Sequence, residues 1–289
     1  MYLLATASGS QVYLQNVDSK LVLPPVSTSG TANGCAFSPD STLLAVAHNS
    51  SPYITVRSTS DWTSVANLDP PPPSSANSCA FSPDGNLLAV AHNSSPYITI
   101  YDTSTWVKLA NPSTLPPSSA NSCAFSPDGT LLAVAHNSSP YITIYDTSTW
   151  VKLANPSTLP PSGANSCAFS PDGTLLAVAH NISPYITIYD TSTWTKLTNP
   201  STLPSGTGRG CAFSPDGTLL AVAHTNSPRI TIYDTSTWAK LDNPSTLPPG
   251  NATSCAFSPD GTLLAVSNNN SSPYITVYNT NTWAAESGF

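Results

Sequence analysis

Residues 79–122 read CAFSPDGNLLAVAHNSSPYITIYDTSTWVKLANPSTLPPSSANS, and the stretch recurs with small changes from Cys35, Cys123, Cys167, Cys211 and Cys255. Each cysteine follows the last by 44 residues, the signature of an internal structural repeat. Four short strand candidates fall inside each unit: a (NSCAF), b (LLAVA), c (YITIY) and d (WVKLA). Ser-Pro-Asp-Gly separates a from b, Asn-Ser-Ser-Pro separates b from c, and Asp-Thr-Ser-Thr separates c from d. A proline-rich loop leads to the next a. These are turn formers for distinct reasons: Pro presets φ, Gly accepts positive φ, and Asp or Ser bonds the nearby backbone.

Strand c alternates, with Ile98 and Ile100 between Tyr97, Thr99 and Tyr101, whereas strand b is apolar on both faces. A sheet covered on both sides is implied. Four-stranded sheets that repeat every 40–45 residues satisfy that need by radial stacking. The expected fold class is therefore all-β, a β-propeller of four-stranded antiparallel blades. The residues before Cys35 hold LLATA (3–7), VYLQN (12–16) and KLVLP (20–24), which match strands b, c and d of one more unit. The expectation is seven blades in a single domain over 1–289, the alternative being six blades and an N-terminal extension. Its parts are a partial first blade at 1–34, lacking its own innermost strand, then blades at 35–78, 79–122, 123–166, 167–210, 211–254 and 255–289.

Composition agrees and excludes other classes. The chain has 29 Pro, one Glu and one Met, against a usual proline share of about 5%, which rules out a helical bundle. With 39% hydrophobic residues it can still build a core. A net charge of −7 argues against nucleic acid, and no apolar run reaches the length of a membrane span. The start MYLLATASGS shows neither the basic nor the long apolar region of a secretory signal.

The succession CAFSPDG, LLAVA and ITIYD resembles a WD-repeat, with Tyr101-Asp102 where that family carries Trp-Asp. The family's Gly-His pair before strand a is replaced by segments such as Leu115-Pro116-Pro117. The resemblance implies a propeller that is a non-catalytic platform for other proteins. The expected function is accordingly a binding or scaffold protein in a larger assembly, not an enzyme and without a cofactor. Its repetitive Ser/Thr/Asn/Pro surface is similar to that of exposed virion or phage tail components. Expected partners are other protein chains, with a lectin-like glycan reader or an intracellular peptide adaptor as alternatives.

His48, His92, His136, His180 and His224 close successive b strands, but sheets about 10 Å apart cannot share a zinc ion with ligands at about 2 Å. No metal site is expected. The six cysteines occupy equivalent places too far apart for disulfides and read as small buried hydrophobes. Asp40, Asp84, Asp128, Asp172, Asp216 and Asp260, with Asp102, Asp146, Asp190 and Asp234, fall on one face, each bonding its own turn. Sequons at Asn49, Asn93, Asn137, Asn181, Asn251, Asn269 and Asn270 read as accidents of Asn-Ser turns. Symmetry breaks at Arg209, which replaces a small polar residue before strand a, and at Arg229, which replaces the tyrosine opening strand c. Both belong to one end of one blade and form a candidate grip for an acidic group. Leu3, Leu4, Ala5, Thr6 and Ala7 lack a neighbouring strand a in the sequence, so their edge is a candidate for strand addition.

Overall fold

The structure is a computed structural model that describes residues 3–8, 11–16, 22–66, 68–269 and 271–287; for 3–8, 11, 13–16, 22–25 and 66 only the backbone course is described. Among the described residues there is no helix, and every sheet is small and antiparallel, consistent with a β-propeller. The first sheet is β1 (Leu3–Ser8), β2 (Gln11–Asn16) and β3 (Val22–Ser27), in that order. The next is β4 (Ala32–Phe37), β5 (Leu43–His48), β6 (Ile54–Ser58) and β7 (Ser64–Ala66). Then come β8 (Ala76–Phe81), β9 (Leu87–His92) and β10 (Ile98–Asp102), followed by β11 (Ala120–Phe125), β12 (Leu131–His136) and β13 (Ile142–Asp146). The last three sheets are β14 (Ala164–Phe169), β15 (Leu175–His180), β16 (Ile186–Asp190); β17 (Gly208–Phe213), β18 (Leu219–His224), β19 (Ile230–Asp234); and β20 (Ala252–Phe257), β21 (Leu263–Asn268), β22 (Ile275–Asn279).

The expected fourth strand is a full strand in β3 of the first sheet and in β7 of the second. Elsewhere it shrinks to a single bridge, as between Tyr101 and Lys108 or Tyr145 and Lys152. Proline accompanies the break in four of the five sheets that keep one bridge. Pro112, Pro156, Pro200 and Pro244 follow the bridge and have no N–H to extend a ladder, whereas the equivalent position beyond β7 is Leu68.

The chain divides into two compact units. One comprises Met1–Leu4, Gln15–Val22 and Pro156–Phe289, the other Ala5–Leu14 and Leu23–Asn155. Within each unit, successive sheets pack face to face and approach most closely at their first strands. The both-sides-apolar strand b explains the fit. Ala89 and Ala91, with Ile98 and Ile100, receive Cys123, Leu132, Val134 and Tyr145 of the next sheet. In the other unit Ala177, Ala179, Ile186 and Ile188 receive Cys211, Leu220, Val222 and Tyr233 in the same way. Small residues on one face and large ones on the other let the layers interdigitate, and each buried Leu contributes about 2 kcal/mol.

The turns follow from their residues. Ser82 Oγ donates to Asp84 Oδ1 at 2.5 Å, Asp84 accepts from the Asn86 N–H at 3.1 Å, and Gly85 takes φ +76°. Its N–H closes on the Ser82 carbonyl at 2.9 Å. Asp102 accepts from Ser104 and Thr105, and the turn ends at Trp106, whose N–H returns to the Asp102 carbonyl at 2.7 Å. These carboxylates are held below their ordinary range by hydroxyl and backbone donors. The tyrosine of strand c ties down the proline-rich loop: Tyr101, Tyr145, Tyr189 and Tyr233 each donate their hydroxyl to a carbonyl 31 residues earlier, at 2.8 Å.

Candidate functional site

The pairing of the first two strands slips by one residue in six sheets, and the unpaired residue is Asn33, Asn77, Asn121, Asn165, Arg209 or Thr253. A bulge of this kind re-aims the side chain it carries. At Asn33, Asn77 and Asn165 the carboxamide is aimed at the neighbouring sheet: Nδ2 donates to the carbonyls of Ala76, Ala120 and Gly208 at 2.8, 2.8 and 2.7 Å. Asn77, Asn121 and Asn165 also donate to Asn93, Asn137 and Asn181 of their own b–c turns. Thr253 shares a 2.8 Å hydrogen bond with Ser267.

Arg209 departs from this series. It is exposed at its bulge and has no hydrogen bond or ion pair among the described residues. It is the one charged side chain on the six first strands β4, β8, β11, β14, β17 and β20. Arg229 lies at the same end of that sheet: Gly208 pairs with His224, and the Arg229 carbonyl accepts the His224 N–H at 2.8 Å. The Arg229 guanidinium is engaged, its Nη1 donating to the Pro248 carbonyl at 2.9 Å while Nε is buried without a partner. The two arginines thus share an end, with one guanidinium tied and the other open.

The other candidates take structural places. The five histidines are fully buried, and Nε2 of each meets a threonine hydroxyl, as His136 meets Thr143 at 2.9 Å. Burial pulls His92, His136, His180 and His224 down to about 4. Nδ1 of His48 and His224 meets Ser29 and Ser205, whereas in His92, His136 and His180 it has no hydrogen-bond partner. Pro73, Pro117 and Pro161 stand where those serines would be. None of the six cysteines is in a disulfide; five are buried, Cys35 half-buried, and burial pushes the Cys123 thiol up to about 12. Among the described residues no group of three or more His, Cys, Asp or Glu is arranged to hold a metal. No helix there is long and apolar enough to cross a membrane. The exposed turns carrying Asn93 and Asn137 serve the bulges, and Asn270 lies outside the described residues. Leu3, Leu4, Ala5, Thr6 and Ala7 form β1, at one edge of its sheet, and their side chains lie outside the described residues.

The bulges and their carboxamide links were not legible beforehand. Asn77 reads as an ordinary strand residue, and no local signal marks the slip.

The model of the family described as SMP-30/Gluconolactonase/LRE-like region matches residues 53–269. Among solved structures, Kuenenia stuttgartiensis hydrazine synthase is similar, with a TM-score of 0.79, 94% of this chain and 90% of that one covered, and 19% identity, a likeness of fold alone. No curated protein matches the sequence.

The family match corrects the WD-repeat resemblance. CAFSPDG and ITIYD encode a turn and a strand that any small-sheet repeat needs, so they report fold rather than family. The expected non-catalytic scaffold in a virion or phage tail falls with the resemblance that carried it, since the matched family is one of gluconolactonase-type enzymes. The expectation that the chain is not an enzyme rested on that same resemblance and falls with it. Matched across well over half its length, the chain belongs to the SMP-30/Gluconolactonase/LRE-like family.

Proposed function

We propose that this chain is a seven-bladed propeller hydrolase that opens small cyclic esters of the sugar-lactone class, using the bulge end of the first strands in the unit containing Arg209. The family match over residues 53–269 carries the reading. Seven sheets and the 44-residue period support the blade count. In that arrangement β1, hydrogen-bonded on one side by β2, keeps an edge open to a strand from another chain.

The chemistry needs little apparatus. Water adds to the lactone carbonyl carbon, negative charge gathers on the carbonyl oxygen, and the ring C–O bond then breaks. The ring oxygen leaves as an alcohol, and the new acid ionises. The proposed role of Arg209 is to hold N–H donors against the oxygen where that charge develops. Its guanidinium is uncommitted, whereas the Asp carboxylates of the a–b turns, such as Asp172 and Asp216, are engaged by Ser170 and Ser214.

The test is acid release from a panel of sugar lactones, followed with a pH indicator at neutral pH. The proposal expects protein-dependent, saturable opening. A rate equal to that of buffer for every lactone overturns it.

A further inference from the structure

The Arg209 bulge differs from its siblings in more than charge. Where Asn33, Asn77 and Asn165 latch onto the next sheet, Arg209 makes no such bond, and its strand is instead held by close backbone contact. A Cβ added to Gly208 would strike the Tyr185 carbonyl, and one added to Gly210 would lie 2.8 Å from Ser254 Cα. Glycine on both sides lets β17 sit tightly between its neighbours, so the base of the arginine is fixed without use of its side chain. Segments 181–185, 204–209, 225–229 and 248–253, at this end of the unit, contain no Asp or Glu. The carboxylates Asp172, Asp216 and Asp260 belong to the a–b turns at the opposite end. In a chain of net charge −7, an exposed guanidinium among amides and hydroxyls, without a carboxylate partner among the described residues, is a local positive potential.

We propose that Arg209 is an anion-recognition site selective for a singly charged organic carboxylate. A guanidinium offers parallel N–H donors that match a planar carboxylate, and all of them are open here. Arg229 has Nη1 committed to the Pro248 carbonyl, so Arg209 is the guanidinium at this end with its whole fork open, and one such fork matches the two oxygens of one carboxylate. The inference rests on the lactone reading only for the identity of the acid: ring opening turns the carbonyl oxygen into a carboxylate oxygen, so the product stays on the same donors.

The experiment titrates gluconate, glucono-lactone and inorganic phosphate into the full chain and into R209N and R209K, watching the arginine Nε resonances by NMR. R209N installs the residue that the sibling bulges carry; circular dichroism and the thermal midpoint report whether each variant is folded, and should one fail, R209K and the salt dependence of wild-type binding carry the comparison. The expected result is saturable gluconate binding that weakens with salt, falls by about tenfold or more in R209N and falls less in R209K. Equal gluconate binding in wild type and R209N, salt-insensitive binding, no gluconate binding, or tighter binding of phosphate overturns the proposal. Failure of lactone hydrolysis leaves this comparison intact, and unchanged gluconate binding leaves hydrolysis to its own assay.

Discussion

Acid should dismantle this protein through its histidines before it reaches its carboxylates. His92, His136, His180 and His224 have their titration moved from the ordinary 6.5 to about 4 by burial. A base whose folded pKa is depressed binds fewer protons when folded than when unfolded. The stability it contributes is therefore complete above about 6.5 and is lost as the pH falls toward 4. A shift of that size corresponds to about 3 kcal/mol for each imidazole, and four of them to roughly 10 kcal/mol, comparable with the whole stability of a domain. The Asp shifts, which run below 3.8, act later in the same direction, so the window from 6.5 to 4.5 isolates the histidines. The assay is urea unfolding at pH 7, 6, 5 and 4.5, with the slope checked for constancy. The midpoint should fall steeply across the window. Replacing His136 by Asn, the residue that closes β21 as Asn268, should remove about a quarter of the fall. A midpoint that stays level from pH 7 to 4.5 would refute the reasoning.

Three further outcomes are expected. Pro117→Ser should supply the hydroxyl that His136 Nδ1 lacks, moving its ¹⁵N resonance and stabilising the chain by about 1 kcal/mol after the lost proline rigidity is deducted. Tyr145→Phe removes the 2.8 Å bond to the Thr114 carbonyl and should cost about 1 kcal/mol more than Tyr278→Phe, whose hydroxyl is buried without a partner; the difference in urea midpoint decides. Native protein at pH 8 should react slowly with a thiol reagent, Cys35 first, and release all six thiols after denaturation, whereas rapid native release would show the thiols to be accessible.

Much of the fold is written in the repeat because strand and turn chemistry are local. The cysteine period, the Ser-Pro-Asp-Gly turn and the doubly apolar LLAVA specify small sheets packed on both faces. Strand d is shorter than the repeat suggests in five sheets, and in four of them a proline follows Lys108, Lys152, Lys196 or Lys240 beyond the single bridge. The candidate site was half legible. Arg209 is visible as a break in symmetry, but its bulge depends on how Ala76-type and Ser78-type residues pair across strands, which no single stretch of sequence encodes. Family membership escaped for a related reason: residues that make a turn are shared by unrelated repeats.

The most direct test of the hydrolase account is the specificity constant for lactone opening in wild type, R209N and Tyr278→Phe. The account predicts a fall of about a hundredfold in R209N, the order lost with one oxyanion donor, and a change within about twofold in Tyr278→Phe. Equal rates in wild type and R209N would contradict it.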